Sequence, residues 1–199
     1  ATNDGSSLIL TSPTTGAASR IELEPPLAED ALDGLLGIEP GMHRGKDAAA
    51  IKFVATMDLS QGIDLAANSN IKLGLDGDEP AEIGLCGPEP CRKTLDEIVV
   101  AINIKLGFSL ANHDGRRIAL TLPPSPDGIK TRELVFAVPS GSDATNAIFG
   151  IEPLRSYRSS ASAPAVITGT KDLSQSVDLS KKRYLQLSID DGKMQAVDC

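Results

Sequence analysis

The sequence predicts an α+β fold built as a tandem of repeats of about 113 residues, each with antiparallel β-hairpins, one well-marked helix and one short helix. Three observations carry this expectation. Whole phrases recur in order at near-constant spacing. Short alternating apolar runs meet at Asp-Gly turns. One segment bears the marks of a capped amphipathic helix.

The recurrence is the most specific of the three. GLLGIEP (34–40) returns as AIFGIEP (147–153), with Gly37 and Gly150 113 positions apart. DLSQGIDL (58–65) returns as DLSQSVDL (172–179), and IKLGLDGD (71–78) aligns with LQLSIDDG (185–192), both at an offset of 114. NDGSSLILT (3–11) aligns with HDGRRIALT (113–121) at an offset of 110. Four blocks in one order exceed chance similarity, and the small drift is what loop insertions produce. The layout is then the C-terminal half of a repeat (1–42), a complete repeat (48–153) and the N-terminal half of the next (162–199). Such halves are expected in a window of a longer array, or where neighbouring subunits complete them.

Each element has a local reason. IKFVATMDL (51–59) and AVITGTKDL (165–173) are β-branched and alternating, so each repeat opens with a strand. DLSQGIDLAANSN follows as a loop rich in Asp, Ser and Asn. IKLGLDGDEPAEIGL reads as a hairpin about Asp76-Gly77-Asp78, and YLQLSIDDGKMQAV as its counterpart about Asp191-Gly192. In TLDEIVVAINIKLG, Thr94 and Glu97 have capping-box spacing, Leu95, Ile98, Val99, Ile102 and Leu106 share one face, and Gly107 is a stop. FSLAN, the Asp114-Gly115 turn and RIALTL form another hairpin, and RELVFAVP is the next strand. SDATNAIFGI closes the repeat as a short helix capped by Ser142 or Asp143, with Ala144, Ala147 and Ile148 inward.

Composition narrows the function classes. The chain is 41% hydrophobic and 23% charged, which is globular. Aromatics are 3% with no Trp, so cores are built from Leu, Ile, Val and Ala. The net charge of -8, with Lys and Arg scattered, argues against a nucleic-acid surface. No apolar run approaches the roughly 18 residues of a membrane span, and no charged-then-apolar leader is visible. A soluble mature chain, processed or cut from something longer, is the expectation.

The order of elements also carries a resemblance. NDGSSLILTSPTTGAASRIELEPP followed by ALDGLLGI is similar to the flagellin hook IN motif, a repeat of flagellar cap and hook-associated proteins. That motif likewise runs hairpin, helix, Asp-Gly hairpin, TTGAAS-like turn, strand and a closing leucine-glycine helix. The resemblance covers nearly all of the complete repeat and both halves, and extends to phage-tail and tail-sheath-like proteins. It implies a surface-decorating or spacer domain on an extracellular tube or filament. Neither end shows the long heptad helices of flagellar axial proteins, which puts the tandem nearer the tail-like branch.

Candidate chemistry is sparse. Cys86 and Cys91 stand as C-G-P-E-P-C, and Cys199 falls at the Cys86 position of its own repeat, its partner beyond the chain end or in a neighbour. A structural disulfide in a tight loop, a pair of free thiols and a metal site are the readings; a redox site would more typically show C-x-x-C, and zinc needs two further ligands. The acidic turns Asp76-Gly77-Asp78-Glu79 and Asp190-Asp191-Gly192 offer too few oxygens for calcium and are explained by hairpin chemistry. His43 and His113 lie in predicted loops and form no spaced set with the cysteines. G-x-S-x-G, H-E-x-x-H, the P-loop and G-x-G-x-x-G are all absent. The basic runs Arg116-Arg117 and Lys181-Lys182-Arg183 flank strands, where charge discourages edge pairing.

The sequence therefore leads to a non-enzymatic structural module with no cofactor, partnered by copies of itself or by neighbouring repeats, in an extracellular, cell-surface or tail-like particle. The alternative is an adhesin-type stalk that recognises a glycan or a partner protein, against which stands the scarcity of aromatic platforms: Tyr157 and Tyr184 are the only tyrosines.

Overall fold

The alternating runs become antiparallel ladders. In the computed structural model, which describes residues 1–87 and 91–199, the chain divides into two compact units. Unit 1 comprises Ala1–Ala48 with Ser162–Cys199, and unit 2 comprises Ala49–Ala161. The flanking halves 1–42 and 162–199, which the sequence sets in different repeats, thus share one core.

Unit 1 begins with β1 (Thr2–Asn3), β2 (Leu8–Thr11), β3 (Arg20–Glu24), α1 (Leu32–Leu35) and β4 (Gly41–Arg44). Unit 2 holds β5 (Ile51–Val54), β6 (Ile63–Asp64), β7 (Asn70–Leu75), β8 (Ala81–Gly84), β9 (Arg92–Lys93) and α2 (Leu95–Leu106), followed by β10 (Ala111–His113), β11 (Ile118–Leu122), β12 (Glu133–Ala137), α3 (Thr145–Phe149) and β13 (Arg155–Arg158). Unit 1 resumes with β14 (Val166–Thr168), β15 (Tyr184–Ile189) and β16 (Gln195–Asp198). Among the described residues the fold is therefore mostly antiparallel β with three helices, of 4, 12 and 5 residues.

Each unit has one four-stranded sheet, in the order β13-β12-β7-β8 in unit 2 and β4-β3-β15-β16 in unit 1. Each also has a three-stranded sheet, β10-β11-β5 in unit 2 and β1-β2-β14 in unit 1. Period-two burial explains the ladders: Leu134 and Phe136 of β12 point inward with Ile71 and Leu73 of β7, as do Ile21 and Leu23 of β3. Unit 2 fills its centre with Phe53, Phe136, Phe149 and Tyr157, whose ring centroids lie 5.0–5.9 Å apart in tilted or edge-on pairs. Unit 1 builds its smaller core from Leu10, Ile21, Leu23, Leu32, Leu36, Ala165, Ile167 and Leu185.

The helix of unit 2 forms as the sequence predicts. Thr94 Oγ1 accepts from Glu97 N–H, Glu97 reaches back to Thr94 N–H, and Gly107 closes the helix in the left-handed region. Leu95, Ile98 and Ile102 are buried, with Val99 and Leu106 packed beside them. The short helix α3 differs in detail. Its N-cap residue is Ala144, which has no capping side chain, and Asp143, one of the two expected caps, accepts from Thr145 N–H at 2.8 Å. Ala144, Thr145, Ile148 and Phe149 are buried and Ala147 only half-buried, because a helix beginning at Thr145 turns positions 148 and 149 inward. The loop DLSQGIDL also holds a two-residue strand, β6, which pairs with β9.

The recurring GIEP phrase is a helix stop. Gly150 has φ +71°, and a Cβ there would collide with Thr56 Oγ1; Thr56 N–H donates to Phe149 O, which ties the closing helix to the opening strand. Gly37 (φ +62°) follows Leu36, whose carbonyl accepts from Thr170 N–H in the same way. Gly107→Ala, with φ +77° and open space, is expected to lose only the backbone contribution of about 1 kcal/mol, whereas Gly150→Ala loses more. Urea unfolding of the two variants checks this ordering.

Candidate functional site

Three consecutive devices seat α2. Cys86 and Cys91 are disulfide-bonded, their Cα atoms 5.6 Å apart, and Cys91 is buried. The Pro-Glu-Pro loop expected between them lies outside the described residues. Beyond the bridge, Leu65 N–H donates to Cys91 O and β9 pairs with β6, Ile63 opposite Lys93. The capped helix then lies against β8 and β10. Asn103, which no sequence motif marks, fixes its far end: its amide donates to Ala111 O at 2.9 Å and accepts from Ala111 N–H at 2.8 Å. A polar residue on the inner side of an amphipathic helix was the available signal.

Cys199 is a free, exposed thiol. Its register differs from the expected one. Leu185 faces Val197 across β15–β16 as Ile71 faces Ile83 across β7–β8, and Cys199 N–H donates to Arg183 O as Leu85 N–H donates to Ser69 O. Cys199 thus occupies the position of Leu85, one residue before that of Cys86, because ladder register rather than residue type sets the correspondence.

The acidic turns are strand clamps. Asp76 and Asp190 take left-handed φ values of 54° and 50° at the ends of β7 and β15. Asp76 accepts from Arg132 Nε at 2.9 Å and Nη2 at 2.6 Å, and from Glu133 N–H at 2.9 Å. Asp190 accepts from Ser12 Oγ at 2.8 Å and Arg20 N–H at 2.9 Å, and Asp191 pairs with the Arg20 guanidinium. Burial works against ionisation of Asp76, but the Arg132 and Glu133 donors offset it and hold its carboxyl below the usual 3.8. The Arg20 N–H bond does the same for Asp190. Asp76 and Arg132 line an open depression of about 770 Å³, where Glu133 and Arg158 are also paired, at 3.0 Å. Among the described residues no three His, Cys, Asp or Glu side chains gather as a metal set.

A second groove, of about 580 Å³, runs past the start of α2 and includes Ser60, Asp96 and His113. His113 Nε2 lies 2.9 Å from Asp96 Oδ1, and Gly115 N–H donates to Nδ1 at 3.1 Å. The hydrogen-bond network thereby assigns the proton to Nε2. Both ring nitrogens are engaged, so the imidazole has no lone pair aimed at Ser60; it pins the first turn of α2 to the β10–β11 turn. Both histidines, expected in loops, stand in strands because a neighbouring strand offers each a ladder: His113 ends β10 opposite Ile118, and His43 lies in β4 opposite Ile21. In the basic runs Arg116 pairs with Asp58, Arg117 with Asp114 and Arg183 with Asp198. No helix of the described residues is long and apolar enough to cross a membrane.

Comparison of the chain with protein-family models, curated proteins and solved structures finds no match in any of the three.

The Asp76 clamp has a pH signature. A carboxyl held below its unfolded value stabilises fully above pH 3.8, and that contribution is lost as pH falls through the lower folded value. Asp76→Ala is therefore expected to lower stability at pH 7 by about 1 kcal/mol, the low end for charge-assisted bonds because the pair is partly solvated. The difference from wild type shrinks as pH falls through the lower folded value, leaving the pH-independent cost of Ala at a left-handed φ, as thermal unfolding across pH checks.

Proposed function

We propose that this chain is a non-enzymatic structural protein: two copies of one module, the first assembled from the ends of the chain and the second inserted whole, serving an extracellular filament, tube or tail-like assembly. The observation that carries this reading is the shared architecture of the two units. Their four-stranded sheets have the same strand order, and corresponding strands have the same register, Leu134 opposite Leu75 in unit 2 and Ile21 opposite Ile189 in unit 1. The sequence blocks that recur fall on these equivalent strands and turns. Each unit also closes by the same bond, from a threonine N–H to the carbonyl just before the glycine that follows its closing helix, Thr56 to Phe149 and Thr170 to Leu36.

Further support comes from what the polar groups do. Asp76, Asp190, His113, Arg116, Arg117 and Arg183 are spent on intramolecular bonds, as a scaffold requires. The Cys86–Cys91 disulfide favours an oxidising compartment. The resemblance to the hook IN motif names a setting in which such modules decorate or space a shaft.

Sedimentation and negative-stain electron microscopy over rising protein concentration test the reading. Elongated or polymeric species are the expected outcome; a compact monomer at every concentration counts against it.

A further inference from the structure

We propose that the chain carries a knob on unit 1 and a matching pad on unit 2, and that the knob of one copy docks on the pad of the next. The knob is the 24–30 loop, tipped by Leu27. The pad is formed by Val54, Met57 and Leu154, with Lys52 and Arg155 at its rim. The contact rests on the structural reading above for its setting, and names the surfaces through which the module assembles.

The two units differ at both places once their registers are matched. Glu24 faces Gln186 as Ala137 faces Lys72, and the bridge of Asp30 to Tyr184 matches that of Asp143 to Asn70. Leu27 is therefore the counterpart of Ser140. Ser140 donates to the Glu82 carboxylate through both its N–H and its hydroxyl, which ties that tip to β8. Leu27 is instead fully exposed, more so than any other large apolar side chain of the described residues. Its loop is held at both ends by β15, where Glu24 pairs with Gln186 and Tyr184 N–H donates to Glu29 O. Pro25 and Pro26 limit its freedom in between. Glu24 and Glu29 flank the tip and form no ion pair among the described residues; Arg183, whose charge reaches Glu29, is taken by Asp198.

Unit 2 presents an apolar surface where unit 1 is polar. Val54 corresponds to Thr168, and Met57, three residues on, to Lys171, which pairs with Asp33. Leu154 has no counterpart. Pro40 is followed directly by Gly41, which faces Leu23, whereas Leu154 stands between Pro153 and Arg155, which faces Phe136. This extra residue takes a left-handed φ of +63°, uncommon for leucine, and its side chain is 79% exposed. The segments adjoin: Phe53 packs on Tyr157, Thr56 N–H donates to Phe149 O and Met57 lies against Gly150, which sets Leu154 beside the 54–57 stretch. Lys52 shares the outer face of β5 with Val54, and Arg155 follows Leu154; both are exposed, and neither has a carboxylate partner among the described residues. The carboxylates of the same two segments, Asp58 and Glu152, are held by Arg116 and Asn146. An apolar tip between two free carboxylates thus complements an apolar pad between two free cations.

Because knob and pad are different surfaces, the contact is heterologous, and its repetition gives an open chain or a ring. One leucine on a small pad makes a contact below about 1,200 Å², weak enough to need high protein concentration. Sedimentation velocity of the full chain over rising concentration reads it, with Cys199 alkylated so that disulfide dimers do not contribute. Leu27→Asp and Leu154→Asp, both at exposed positions, are each expected to lower the association constant at least about tenfold. In a mixture of the two variants one keeps its pad and the other its knob, so pairs and nothing longer are expected. Assembly of the wild-type chain that neither substitution weakens overturns the proposal while leaving the structural reading in place. So does a mixture that stays monomeric beside an assembling wild type, or one that grows past pairs. A wild-type chain that is monomeric at every concentration overturns both.

Discussion

The antiparallel ladder between β3 and β15 is the constraint on which unit 1 rests. Ile21 faces Ile189 and Leu23 faces Leu187, strands that lie at opposite ends of the chain. Neither end can bury its apolar face or satisfy its backbone groups alone, since a two-stranded hairpin is marginal in water. Joined, β3 and β15 form the centre of a four-stranded sheet, with β4 and β16 at the edges. The second junction, β2 with β14, lays Leu10 against Ile167 on the same core. Asp190 then locks the arrangement, because its carboxylate, at the end of β15, takes the first N–H of β3 and the hydroxyl of Ser12 beyond β2.

Unit 2 solves the same problem within a continuous stretch of chain and adds a third layer of support. Its β7–β12 ladder is clamped by Asp76, its closing helix is tied by Thr56, and α2 seals the side that β8 and β10 leave open. The disulfide and the β6–β9 pair fix where that helix begins. The aromatic cluster makes the core of unit 2 larger, whereas unit 1 uses Leu23 and Ile167 at the positions of Phe136 and Phe53. The two cores thus share a layout while differing in volume.

Local signals were the ones readable from sequence. Thr94, Glu97 and Gly107 announce α2 because capping involves residues three or four apart, and Asp76-Gly77 announces its hairpin for the same reason. Partner choice was not readable in this way. The Asp76–Arg132 pair spans 56 positions and Ser12–Asp190 spans 178, so no local pattern marks either. The edge strands β4 and β13, GMHR and RSYR, lack apolar alternation and exist because a neighbouring strand offers them a ladder. The repeat phrases pointed to equivalent positions, but the cysteines misled by one residue until strand register was available.

Native-state hydrogen exchange in rising denaturant tests the central claim most directly, that the two ends of the chain fold as one unit. The account predicts that amides of β2 and β3 lose protection in the same step as those of β14 and β15, with one shared dependence on denaturant. Exchange of the N-terminal strands in a step separate from the C-terminal ones would contradict it.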